Sequence, residues 1–104
     1  SGVDGGELDS VLGVRTKPTP FEGSVSMRIA GPNATAARVL IFDAAGRLVR
    51  TAWNGVLNGR AFTVVWDGRD DSGREAATGI YVVRLESGSG NAIGRLVKLR
   101  DMER

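Results

Sequence analysis

An all-β sandwich is the fold class this sequence predicts, and three observations predict it. Apolar and polar residues alternate at a period of two along most of the chain, with no sustained helical repeat. Turn signals recur roughly every 8 to 12 residues, the spacing of short antiparallel strands. The 104 residues suffice for one domain and leave no room for a second. The 15 glycines fall between apolar runs, so they punctuate strands and do not form a low-complexity tract.

The elements follow in order. Residues 1–9 are acidic and glycine-rich and read as a linker or an artificial end, with Ser1-Gly2 as a cloning remnant; the domain occupies residues 10–104. A weaker strand is expected at 10–15. Val25, Met27 and Ile29 alternate with Ser24, Ser26 and Arg28, and Gly31-Pro32-Asn33 closes that strand. Residues 37–43 are apolar on both parities, as a central strand can be. Asp43-Ala44-Ala45-Gly46 has the chemistry of a short hairpin loop with glycine at the left-handed position, and residues 47–51 return from it. Asn58-Gly59 is the strongest two-residue hairpin signal, and Phe62, Val64 and Trp66 alternate after it. A long polar loop covers 67–79, where Glu75-Ala76-Ala77 is too short for more than a helical turn. Tyr81, Val83 and Leu85 alternate next. Ser87-Gly88-Ser89-Gly90-Asn91 turns the chain into a last strand at 92–100.

The sum is an immunoglobulin-like β-sandwich of about seven antiparallel strands in two sheets. Its expected core is Val25, Met27, Ile29, Val39, Ile41, Phe62, Val64, Trp66, Tyr81, Val83, Leu85, Val97 and Leu99, each on the apolar parity of its strand. In the last strand Leu96 competes for the inward face, being on the opposite parity from Val97 and Leu99.

Composition narrows the function. Cysteine and histidine are absent, which removes disulfides, thiol nucleophiles, Ser-His-Asp triads and nearly all zinc or copper sites. No apolar run is long enough to span a membrane, so no membrane insertion is expected. The net charge of +2 conceals an acidic start, where Asp4, Glu7 and Asp9 stand without a base, and a more basic remainder. Lys17 and Lys98 are the only lysines, and the arginines are spread over many segments without interleaved aromatics, so no nucleic-acid partner is expected. A catalyst would have to be built from paired carboxylates. Glu22, Asp43, Glu75, Glu86, Asp101 and Glu103 stand singly in turns or near the ends, and a sandwich this small has little volume for a pocket; no enzyme is expected.

The densest polar constellation is Asp67-Gly68-Arg69-Asp70-Asp71-Ser72-Gly73-Arg74. Three carboxylates in five residues invite calcium, but the helix-loop-helix spacing fails at Arg69 and Ser72, and Arg69 and Arg74 bring positive charge into the loop. The expectation is a pair of Asx turns with Gly68 and Gly73 at positive φ, free of metal and of any cofactor. Trp66 shares the parity of Phe62 and Val64 and belongs in the core, its indole N–H bonded at the strand end. Trp53 lies near a turn and reads as a lid over one end of the sandwich, with an exposed contact aromatic as the alternative.

Several segments together carry a family likeness. Ile41-Phe42-Asp43, Gly46-Arg47-Leu48-Val49-Arg50, the run from Val65 and Trp66 through Asp67, Gly68, Asp70, Asp71 and Gly73, and Thr78-Gly79-Ile80-Tyr81 resemble the FlgD immunoglobulin-like family, found in flagellar hook-capping proteins. The same pattern is similar to the C-terminal sorting domains of type IX secretion substrates. Pro20-Phe21 resembles the Asn-Pro-Phe that opens such domains, with Thr19 where Asn is usual. The likeness implies a monomeric, non-catalytic module at the end of a larger exported protein, fused N-terminally to it as cargo. Its implied partners are the type IX translocon and a sortase-like peptidase, and its implied location is the outer-membrane surface or the medium. If sorting is the function, the expected recognition element is the hairpin 79–100, whose last strand presents Arg95, Lys98 and Arg100; the alternative is that these cations only protect an edge strand against aggregation. The rival expectation is an Ig-like spacer of a surface enzyme, or a hook-cap assembly domain.

Overall fold

A computed structural model describes residues 12–16, 20–88 and 90–99. Seven strands form within them: β1 (Gly13–Thr16), β2 (Val25–Ala30), β3 (Thr35–Asp43), β4 (Leu48–Leu57), β5 (Phe62–Trp66), β6 (Gly79–Ser87) and β7 (Gly90–Lys98). All strand pairs are antiparallel, in one sheet ordered β1-β2-β5 and another ordered β4-β3-β6-β7. In immunoglobulin lettering these are A-B-E and C′-C-F-G, because the fourth strand pairs with the third and stays in the larger sheet. The expected sandwich is the one the chain forms. Residues 1–9, Arg100 and the end of the expected last strand lie outside the described residues.

The core follows strand parity. Val25, Met27 and Ile29 of β2 meet Val39 and Ile41 of β3, Val64 and Trp66 of β5, and Tyr81, Val83 and Leu85 of β6, all buried as expected. Phe21, Ala37, Leu57 and Leu96 complete the cluster. Phe62 keeps its inward parity but is only half-buried, because it lies at the open side of the sandwich, where its ring meets Trp53 at 5.0 Å.

The Asp43–Arg47 hairpin forms as its sequence predicts. Gly46 has φ +88°, its N–H donates to the Asp43 carbonyl, and the Asp43 carboxylate accepts from the N–H groups of Ala45 and Arg47.

Three expectations need correction. Asn58-Gly59 does not close a hairpin. It begins the crossing from β4 in one sheet to β5 in the other, Asn58 Oδ1 accepting from Arg60 N at 3.0 Å while Gly59 takes φ +82°. Trp53 is not near a turn, since β4 runs on to Leu57; Trp53 faces inward from mid-strand and covers the side between the edge strands β4 and β5.

The third correction is the register of β7. Leu96 and Lys98 point inward, Val97 is half-buried on the outer face, and Leu99 is exposed. The cause is that Ser87 pairs with Gly90, only three positions on, and thereby Tyr81 with Leu96 and Ile80 with Val97. Turn length fixes register, and a shift of one residue exchanges the faces of the strand.

Candidate functional site

The residues that carry the family likeness gather at one pole of the sandwich. Trp66 ends β5 at its centre, with the ring of Phe21 5.8 Å away on one side and that of Tyr81 5.2 Å away on the other, both edge-on. Its indole N–H donates to the Arg69 carbonyl at 2.9 Å, which pins the loop to the core. The Tyr81 hydroxyl donates to the Ala77 carbonyl four residues upstream, at the start of the F-equivalent strand. That is the tyrosine corner of immunoglobulin-like domains, and it ties down the other end of the loop. Burial pushes the Tyr81 phenol above its ordinary pKa. Gly79, with φ +152°, opens β6 just before it.

Between these anchors the acidic residues close the loop on itself. Asp67 Oδ1 accepts from Arg69 N at 3.0 Å. Asp70 Oδ1 accepts from Ser72 N, Ser72 Oγ and Arg74 N at 2.7–3.0 Å. Asp71 reaches sideways to the edge of β4, its N–H donating to Val49 O at 3.0 Å and its Oδ1 accepting from Thr51 N at 3.2 Å. Gly68 and Gly73 take φ +79° and +90°, as the Asx-turn reading requires. Among the described residues no group of three acidic side chains converges where a cation could sit.

A shallow cleft of about 800 Å³ opens beside this loop, lined by Arg47, Leu48, Asp71, Arg74, Ala77 and Ile80 among others. The four carboxylates on its walls already have partners: Asp43 and Asp70 hold backbone N–H groups, Asp71 holds Thr51 N, and Glu75 holds Lys98. In each case the carboxylate braces the loop or the strand beside it.

The Ser72 hydroxyl, followed by the Arg74 N–H, holds the Asp70 carboxyl below its ordinary pKa of 3.8. Its folded value is depressed, so its contribution to stability is full above 3.8, declines as pH falls below that, and is gone once pH passes the lowered folded value. Acid melting curves check this: Asp70→Asn is expected to flatten the loss of melting temperature in that range. A variant with unchanged acid sensitivity would contradict it.

Of the expected recognition cations, Arg95 and Lys98 lie on opposite faces of β7. Arg95 is exposed on the outer face of β7, Arg100 lies outside the described residues, and Lys98 is buried on the inner face at 1% exposure. Lys98 therefore cannot be a surface contact for a partner in the folded domain. Its ammonium donates to Glu75 Oε2 at 3.1 Å, and its stem lies against Gly68. Phe21 bridges to the same place, its N–H donating to Val97 O at 3.0 Å and its carbonyl accepting from Leu99 N at 2.8 Å. Sequence reasoning noticed Pro20-Phe21 but not that it clasps the last strand. A buried lysine on an otherwise apolar parity has no sequence signal beyond the presence of Leu96 two residues earlier.

Unequal effects follow for the two partners of the ion pair. Glu75 is half-exposed, so Lys98→Met leaves no buried charge and is expected to cost little. Glu75→Ala strands a buried ammonium and is expected to cost about 1–3 kcal/mol. Urea unfolding of the two variants measures the difference, and equal costs would refute it.

The strand order, the tyrosine corner and the closed acidic loop define an immunoglobulin-like β-sandwich domain. Within that class the chain belongs to the FlgD Ig-like domain family, whose model matches residues 15–91. Parts of two solved structures share its fold. One is dimeric latent PorU from Porphyromonas gingivalis, with a TM-score of 0.65 and 21% identity over 96% of this chain and 10% of that one. The other is PorZ from the same organism, described as an essential bacterial surface component of the type IX secretion system; its TM-score is 0.53, with 22% identity over 84% of this chain and 11% of that one. The chain thus spans about a tenth of the length of either protein. At such identity the likeness is one of fold. A search of curated proteins finds no match.

Proposed function

We propose that this domain is a sorting or anchoring module that carries a larger exported protein, fused N-terminal to it, across the outer membrane by the type IX secretion system. The observation that supports it is a coincidence: a FlgD Ig-like family match, and a fold shared over 84% of the chain with part of a type IX secretion component. In this reading the domain is a monomer and does no chemistry. The translocon reads it folded, a sortase-like peptidase acts on it, and it reaches the cell surface or the medium.

With Lys98 inside, the recognition surface becomes the outer face of the β6–β7 hairpin, where Arg95 stands among exposed Ile80 and Ile93. The test is a fusion of residues 1–104 behind a periplasmic reporter in a type IX host. Surface delivery of the fusion, slowed by Arg95→Ser, is the expected result. A fusion retained in the periplasm overturns the sorting role and leaves an Ig-like spacer or a hook-cap assembly domain in its place.

The 67–73 loop works without a cofactor in this reading. Calcium added to the folded domain is expected to leave its melting temperature unchanged. A rise of many degrees would mean that a tight ligand selects the folded state, and would overturn this part.

A further inference from the structure

The smaller sheet turns an unbalanced row of side chains outward. Arg15 of β1 and Arg28 of β2 are direct partners in the antiparallel ladder, and Arg28 in turn pairs with Thr63 of β5. All three are exposed, so two guanidiniums and a hydroxyl cross the sheet in one line. The neighbouring rows are low and uncharged, Gly13 and Ala30 on one side, Ser26 and Val65 on the other. The described residues of β1, β2 and β5 include no carboxylate, and neither arginine makes an ion pair with a described residue.

Five other cations of the described residues are matched by carboxylates. Arg38 and Arg84 share Glu86, Arg47 takes Asp43, Arg50 takes Asp71, and Lys98 takes Glu75. Like charges directly opposite on a ladder are destabilising, and here nothing within the sheet offsets them. An anion from outside would. A guanidinium is suited to it, since its planar fork donates two parallel hydrogen bonds to a phosphate.

The shape of the face selects the kind of anion. It is an exposed sheet face whose neighbouring rows carry short side chains, so a single soluble phosphate would be held from one side only. A plane of phosphates would meet both guanidiniums and the Thr63 hydroxyl together. We propose that the outer face of the β1-β2-β5 sheet docks on a phosphate-bearing lipid surface through Arg15, Arg28 and Thr63. This contact is peripheral and independent of the sorting role.

Co-sedimentation of the whole chain with vesicles tests it. At low salt the chain is expected to bind phosphatidylcholine vesicles containing phosphatidylglycerol and not phosphatidylcholine alone. The variant Arg15→Ser with Arg28→Ser is expected to bind about thirtyfold more weakly, from roughly 1 kcal/mol for each basic residue near an anionic surface. Its melting temperature should be equal or higher, since a repulsion has been removed. A charge-matched variant, Arg47→Ser with Arg74→Ser, should keep most of the binding. Equal loss in the two variants would mean that net charge and not this row is responsible, and would overturn the proposal. So would failure of the unaltered chain to prefer the anionic vesicles. Inorganic phosphate that releases the chain where sodium chloride of equal ionic strength does not would make the ligand a soluble anion, and would overturn the lipid assignment.

Discussion

Replacing Trp66 with alanine is expected to cost about 3–5 kcal/mol, the range for deleting a large aromatic from a packed core. Small domains are stable by only about 5–15 kcal/mol, so the variant should be largely unfolded or close to it. The effect is large because Trp66 makes two kinds of contact. Its ring is 1% exposed and fills the space between Phe21 and Tyr81, and its N–H satisfies the Arg69 carbonyl that starts the loop. Trp66→Phe separates them. It keeps part of the ring contact, loses the hydrogen bond, and should fall between the unaltered chain and Trp66→Ala. Urea unfolding followed by far-ultraviolet circular dichroism measures all three. A loss below about 1 kcal/mol for Trp66→Ala would mean that the pole repacks without it.

Gly68→Ala carries the second large effect. At φ +79° an L-residue is strained by about 1–2 kcal/mol. The added Cβ would also lie 2.6 Å from the Gly23 carbonyl oxygen and 3.0 Å from Lys98 Cε. The oxygen is backbone and cannot swing aside, so the loop must shift, at a further cost of about 1–3 kcal/mol. Gly73→Ala isolates the first contribution, because Gly73 has φ +90° and no heavy atom within 4 Å of the added carbon. Its cost should be the conformational one alone, about 1–2 kcal/mol. Equal losses at the two positions would refute the close approach at Gly68.

Much of this was legible in the sequence where one parity is apolar and the other polar. Val25, Met27 and Ile29 declare their face without ambiguity, and so do Tyr81, Val83 and Leu85. The loop was legible because Asp and Gly have local reasons for their positions, hydrogen bonds to the nearby backbone and positive φ. The failures share a cause: they depend on partners far away in the chain. Asn58-Gly59 is chemically a hairpin turn, but the neighbour of β5 is β2 and not β4. In β7 the parity is set by a turn length, and with Leu96 and Val97 adjacent the apolar pattern does not decide between faces. The burial of Lys98 follows from that register and from Glu75 being in reach, neither of which a local pattern encodes. The open row at Arg15 and Arg28 needs the pairing of β1 with β2 before it becomes visible.

The bond between Phe21 and the end of β7 also sets an order of events during synthesis. Phe21 is made before Val97 and Leu99 and must wait for them to appear. Until then the chain cannot cover one side of the Trp66 ring, and a long loop must close before that contact forms. Sandwiches built on such distant pairings fold slowly, on a millisecond-to-second scale. A chain that still lacks β7 therefore keeps an uncovered aromatic surface at Trp66. The domain acquires its native pole only when its last strand has been translated.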